Sequence, residues 1–171
     1  ESRAPDAVLG EVAVVTRYDG YRDVGGARFP TRIRQSSGGF PVLDVTVKEV
    51  QPNAPVAIAV PEAVRGATER VTSEKVAEGV WFIAGGSHNS VAIEMKDHLV
   101  LVEAPLGDGR TLPVIEHVRQ LVPGKPIRTV INSHQHFDHS GGLRAAAAEG
   151  MTIVAQADVA KYLEQAFRTR N

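Results

Sequence analysis

The run Ser133-His134-Gln135-His136-Phe137-Asp138-His139-Ser140-Gly141-Gly142 gathers four side chains of metal-ligand type within six positions. Three of the chain's six histidines fall there. His134 and His136 are two apart, so an extended backbone points both rings the same way. Two imidazoles so placed can hold one metal ion. Asp138 and His139 lie on the turn that follows and can point at a second position nearby. Imidazole with carboxylate suits zinc, and also iron or manganese. Two such ions about 3.5–4 Å apart clamp a bridging hydroxide, a nucleophile at neutral pH because the metals lower the pKa of water. The metal candidates are therefore His134, His136, Asp138 and His139. Asp138 is also the candidate catalytic residue.

The elements around this run are those needed to present it. Thr129-Val130-Ile131-Asn132 is mostly apolar and β-branched and reads as a short buried strand entering a loop. Gly141-Gly142 suits a tight turn, and the Ala-rich residues 143–149 suit a helix. A strand-to-helix loop on a rigid scaffold is a common place for chemistry.

His134-x-His136-x-Asp138-His139 followed by Ser140-Gly141-Gly142 resembles the signature of the metallo-β-lactamase-fold hydrolases. The likeness extends upstream. Glu78-Gly79-Val80-Trp81-Phe82-Ile83 resembles that family's first strand, residues 90–95 and 98–103 the next two, and Pro123-Gly124-Lys125-Pro126-Ile127 the approach to the motif strand. It covers about residues 73–168. It implies that His134 and His136 serve one metal site and Asp138 and His139 a second, holding one or two zinc ions, with iron or manganese as alternatives. It also implies a small-molecule substrate. Glyoxalase II-like thioesterases and lactonases share both Asp138 and His139; persulfide dioxygenases of the same fold share the motif with one iron. Glu103 stands where family members often carry Asp, and no role follows for it from the sequence. The resembled fold is an αββα sandwich of two similar halves, the second supplying further ligands. No His follows His139, so the chain is expected to hold the first half of the sandwich, truncated at the C-terminus. Its unpaired sheet face would then be apolar and open to self-association as a homo-oligomer.

Composition sets outer bounds. A chain of 171 residues, 43% hydrophobic and 23% charged, is ordinary for a globular protein. A net charge of −1 with no basic face argues against nucleic acid as the main partner. No apolar run reaches the roughly 18 residues of a membrane-spanning helix. The absence of cysteine excludes disulfides, Cys-ligated zinc and a thiol nucleophile. The chain opens on Glu1 rather than Met and reads as a fragment or processed product, so the lack of a signal peptide says little.

The chain is expected to divide into an antiparallel β segment over residues 1–62, a linker over 63–73 and an α/β half-domain over 74–171. In the first, residues 11–18 are β-rich, and residues 21–24 and 28–34 flank Gly25-Gly26, a two-residue hairpin turn. Pro30 argues for an edge or a bulge. Arg28, Arg32 and Arg34 hold a solvated strand face. Ser36-Ser37-Gly38-Gly39 is a second turn. Residues 40–50 alternate, with Leu43, Val45 and Val47 on one face, as in a sheet covered on one side. Tyr21-Arg22-Asp23-Val24-Gly25-Gly26 and Pro41-Val42-Leu43-Asp44-Val45-Thr46-Val47 resemble closing hairpins of outer-membrane lipoprotein-carrier-like domains, which implies an exported or periplasmic protein. Prolines and turn residues mark 51–75 as linker, with a short strand over 56–60.

In the second segment, residues 80–84 form a strand ending at Gly85-Gly86-Ser87-His88-Asn89. The resemblance brings this turn near the metal site, which makes His88 and Asn89 candidate substrate-pocket residues. Residues 90–95 and 98–103 pair across Lys96-Asp97. Residues 111–122 form a helix with Pro113 in its first turn; His98 and His117 are expected to be solvated. Residues 151–155 form a strand and 158–168 a helix, and the last residues, 168–171, are expected to fray.

Overall fold

The computed structural model describes residues 1–55 and 57–168. They divide into two compact units, Glu1–Asp6 with Glu11–Ala67, and Ala7–Gly10 with Thr68–Asn171.

The first unit is a four-stranded sheet in sequence order: β1 (Ser2–Asp6), β2 (Gly10–Val24), β3 (Ala27–Ser37) and β4 (Phe40–Thr46). Two glycine pairs make its tight connections. Gly25-Gly26 links Val24 to its partner Ala27, and Gly38-Gly39 links Ser37 to Phe40. Their φ values of 59°, 87°, 58° and 88° are those a type I′ turn demands. Pro30 pairs with Tyr21 of β2, whereas β4 reaches β3 only from Arg32 onward. The proline thus sits where β3 is locally an edge, and its missing N–H disrupts no ladder. Arg32 and Arg34 are engaged, the first by a two-pronged pair with Asp44 and the second by Asp19. The one-sided cover expected for residues 40–50 is not seen. Every residue of β4 is exposed, Leu43 and Val45 included. Residues 57–60 join no strand, and Val56 and residues 169–171 lie outside the described residues.

The second unit is built on a six-stranded sheet in the order β10-β9-β8-β7-β6-β5. The strands are β5 (Thr72–Ala77), β6 (Val80–Ala84), β7 (Ser90–Glu94), β8 (Leu99–Val102), β9 (Ile127–Asn132) and β10 (Thr152–Ala155). Four helices accompany them: α1 (Asp108–Leu121), α2 (Phe137–Ser140), α3 (Leu143–Ala148) and α4 (Ala157–Arg168). β5 opens inside the stretch read as linker. Its residues 72–75 and Ala77 pair with β6, and that pairing outweighs a weak local pattern. Helix α1 begins three residues earlier than the apolar period indicates, so Pro113 lies inside the helix and not in its first turn.

β5 to β8 form an antiparallel meander, while β9 pairs parallel with β8 and β10 parallel with β9. β6 is antiparallel to β7, and β7 to β8, so β6 runs in the same direction as β8 and β9. The carboxyl ends of these three strands therefore share one edge of the sheet.

The two faces of the sheet differ. On one, Ile83, Ala92, Leu101 and Val130 pack with Val114, Ile115 and Val118 of α1, Leu143 of α3 and Leu163 of α4 in a single buried cluster. Each of the Val, Leu and Ile side chains contributes about 1.5–3 kcal/mol of burial, which makes this layer the main source of stability in the unit. On the other, Phe82, Val91, Val102, Ile131 and Val154 lie in strict register, one row across five strands. Phe82, Ile131 and Val154 remain 36%, 37% and 46% exposed. A sheet apolar on both faces but covered on one is half of a layered architecture.

Candidate metal centre

The candidate centre lies at the shared strand edge. β9 ends at Asn132, and Ser133 to His136 lead directly into the one-turn helix α2, with His136 as its N-cap. The Ser140 hydroxyl, 2% exposed, donates to the carbonyls of Gln135 and His136 at 2.8 and 3.0 Å, which closes the loop on itself. Gly141 and Gly142 have negative φ and make no left-handed turn. They are required by space instead. A Cβ on Gly141 would collide with the Leu106 and Phe137 carbonyl oxygens, and one on Gly142 would fall on the buried Thr111 side chain. The loop is thereby pressed onto the start of α1 and the connection before it, where the Gly142 N–H donates to the Ala104 carbonyl at 2.9 Å.

Among the described residues, one set of three has metal-capable donors within 4.8 Å of one another: His88, Asp138 and His139. His88 Nε2 lies 3.0 Å from Asp138 Oδ2, and His139 Nε2 lies 3.7 Å from the same oxygen. The ring of His134 stands 4.2 Å from that of His139 and 4.9 Å from that of His136. His136 thus touches the group through His134 and stands outside the trio. All three trio members are half-buried.

Hydrogen bonds orient these rings. Ser87 Oγ is 2.9 Å from His88 Nδ1, and Ser133 Oγ is 2.9 Å from His134 Nδ1. Each leaves Nε2 as the outward donor atom, the usual role of a second partner on a ligating imidazole. Glu103, just past β8, spans the back of the site. It accepts from the Ser133 N–H at 2.9 Å and from Asn132 Nδ2 at 3.3 Å, and it lies 3.3 Å from His139 Nδ1. Its φ of 68° is in the left-handed region, a conformation that costs a non-glycine residue energy and is retained where surroundings impose it. Burial works to raise the pKa of the Asp138 carboxyl. A backbone hydrogen bond, the neighbouring charges of His139 and His88, and the His88 hydrogen bond outweigh it, so the net shift is downward. Asp138 is held ready as an anion.

The two residues expected to line a pocket have different fates. His88 joins Asp138 directly. Asn89 is half-buried, and its Oδ1 has no hydrogen-bond partner among the described residues. His98 pairs with Asp97 and His117 with Ser73, away from the centre. The sequence reading noted Glu103 but gave it no role; its place one residue past a strand that neighbours β9 was the available signal. The donor set, imidazole and carboxylate without sulfur, fits zinc, iron or manganese.

The packing of Gly142 makes a stability prediction. Gly142→Ala is expected to cost about 1–3 kcal/mol through overpacking against Thr111, read as a lower urea midpoint. Adding Thr111→Ala should recover part of the loss; a Gly142→Ala midpoint equal to wild type would contradict the packing argument.

Residues 83–157 match the family model for the metallo-beta-lactamase superfamily. Among solved structures, the metallo-β-lactamase FIM-1 from Pseudomonas aeruginosa in its mono-zinc form is similar at 28% identity and a TM-score of 0.51, over 58% of this chain and 48% of that one. A metallo-β-lactamase from Hirschia baltica aligns at 26% identity and a TM-score of 0.48, over 56% and 47% of the two chains. The 2,4-dinitroanisole O-demethylase subunit alpha of Nocardioides sp. (strain JS1661) is 31% identical over 71 residues, 42% of this chain and 22% of that protein. The chain spans about half the length of the solved structures it matches, and less than a quarter of the curated relative. The sheet, the motif loop and the family model agree over residues 83–157, and this part of the chain has a metallo-β-lactamase-like α/β fold.

Proposed function

We propose that the chain is part of a metal-dependent hydrolase that splits an ester, thioester, lactone or amide bond of a small molecule. The observation that carries this reading is the convergence of His88, Asp138 and His139, with the His134 and His136 rings alongside, at one sheet edge. In this reading His134, His136, Asp138 and His139 hold one or two ions, and His88 stands beside them as a further donor. Zinc is the favoured ion, supported by the donor set and by the mono-zinc form of the similar solved structure. When bound, such an ion supplies Lewis acidity and lowers the pKa of water.

The chain's own residues do the rest. Asp138, kept anionic by a backbone hydrogen bond and its histidine neighbours, would accept a hydrogen bond from the attacking water and hold its proton. Ser133 and Ser87 fix the ring orientations of His134 and His88. Glu103 ties the start of the motif loop to the end of β8 and restrains His139. Asn89, with its unpartnered Oδ1, is a polar contact for substrate at the rim.

A second reading has its own observation. The trio is two imidazoles and one carboxylate, a donor set that suits iron(II) and oxygen chemistry on a persulfide-like substrate. A third concerns the chain as isolated. Phe82, Ile131 and Val154 of the apolar row are exposed, as expected of a catalytically silent, metal-binding half-domain that associates with a second copy.

Three experiments test these readings. Zinc titrated into the chain should raise hydrolysis of p-nitrophenyl esters, and His136→Ala should remove most of that gain. Activity untouched by the substitution would defeat the hydrolase reading, and oxygen uptake by the iron-loaded chain would favour the second. Light scattering over a concentration series should show mass growing beyond the monomer, and Phe82→Glu should suppress that growth; a constant monomer mass would rule self-association out.

A further inference from the structure

Arg110 is the third residue of α1 and only 3% exposed. A guanidinium is permanently charged and carries five donors, so burying one demands close pairing. Its Nη1 donates to Glu69 Oε1 and to the Arg70 carbonyl, both at 2.7 Å, and its Nη2 donates to the Ala84 carbonyl at 3.1 Å. These acceptors bracket one place. Ala84 is the last residue of β6 and pairs with Thr72 at the start of β5. Residues 69–70 run in just before it. Arg110 therefore ties the exit of β6 to the approach of β5, at the base of the loop 85–89.

The loop also rests on the guanidinium itself. A Cβ on Gly86 would stand 3.3 Å from Arg110 Cζ and 3.4 Å from Nε, so the backbone there lies against the planar group. Gly85, at a φ of 113°, is pressed against the Arg70 carbonyl that Arg110 binds. Three residues beyond Gly85, His88 reaches Asp138. The hydrogen bonds of Arg110 go to Glu69, Arg70 and Ala84, and to none of the candidate ligands.

We propose that Arg110 is a positioning residue for His88: it clamps the base of the loop 85–89 and supports Gly86, so that the His88 imidazole is held against Asp138. The part of this that concerns metal rests on the reading of His88 as a donor beside the centre; the part that concerns the loop stands without it. An apolar residue of similar volume would fill the same space without the cost of a buried charge, and it would leave the three acceptors and the shape of the loop unspecified.

The test uses two readouts on the 171-residue chain. Amide NMR spectra without added metal compare wild type with Arg110→Met and Arg110→Lys. Zinc affinity, by competition with a chelating dye, compares wild type, His88→Ala, Arg110→Met and the double variant. Arg110→Met is expected to shift the amides of residues 85–89 while those of Leu101 and Val130 stay in place. It should weaken zinc by about 10–100-fold, as expected for the loss of an outer partner. The double variant should be no weaker than His88→Ala alone, because both substitutions remove the same interaction. Unchanged loop amides, or a zinc loss that adds to that of His88→Ala, would overturn the proposal. If His88→Ala binds zinc like wild type, the reading of His88 as a donor falls, and the loop amides still decide the role of Arg110. Should Arg110→Met fail to fold, Arg110→Lys decides, since it keeps the charge but cannot make the same set of bonds.

Discussion

The contact between His88 and Asp138 joins two loops far apart in the chain, and it depends on strand direction. β6, β8 and β9 run the same way across the sheet, so their carboxyl ends deliver His88, Glu103 and the motif loop to one edge. Reverse any one strand and its residue would leave for the opposite edge. Ligand sites outside the carboxyl ends of strands are a general property of open α/β sheets. Here the antiparallel pairs β6-β7 and β7-β8 extend that property to a loop beyond the parallel part.

Close packing holds the site once the strands have placed it. The motif loop is pinned from below, where Gly141 and Gly142 allow contact with Leu106 and Thr111. It is pinned from behind by Glu103, which grips the Ser133 N–H and the Asn132 amide. Histidine and carboxylate side chains carry little positional information on their own. Their usefulness comes from supports that restrict each ring to one orientation. In the second unit those supports come from the same helix-covered layer that supplies the stability, so site and core share their determinants.

What the sequence made legible was local. The spacing His134, His136, Asp138, His139 names a metal chemistry without any tertiary information, and the resemblance it carries supplies the fold. β6, β7, β8 and β9 were readable from short apolar β-branched runs, and the Gly-Gly hairpins from their turn chemistry. What stayed hidden depends on distant residues. Arg110 looks like an ordinary helical cation until Glu69 and the carbonyls of Arg70 and Ala84 are seen around it. Glu103 looks like a strand end until Ser133 arrives beside it. Gly141-Gly142 reads as a turn and is one, but the need for glycine there comes from clearance, which only the folded neighbours reveal. β5 has little apolar period of its own and gains its place by pairing with β6. The apolar phase of β4 is present as read, but no cover for it exists among the described residues of its unit.

The central claim is that these loops form a metal site and not a cluster of solvated histidines. Elemental analysis of the purified 171-residue chain, with His134→Ala beside it, tests this most directly. The account predicts one or two equivalents of metal, zinc first, retained through desalting and lost in the variant. Metal at background in the wild-type chain, or the same content in both proteins, would contradict it.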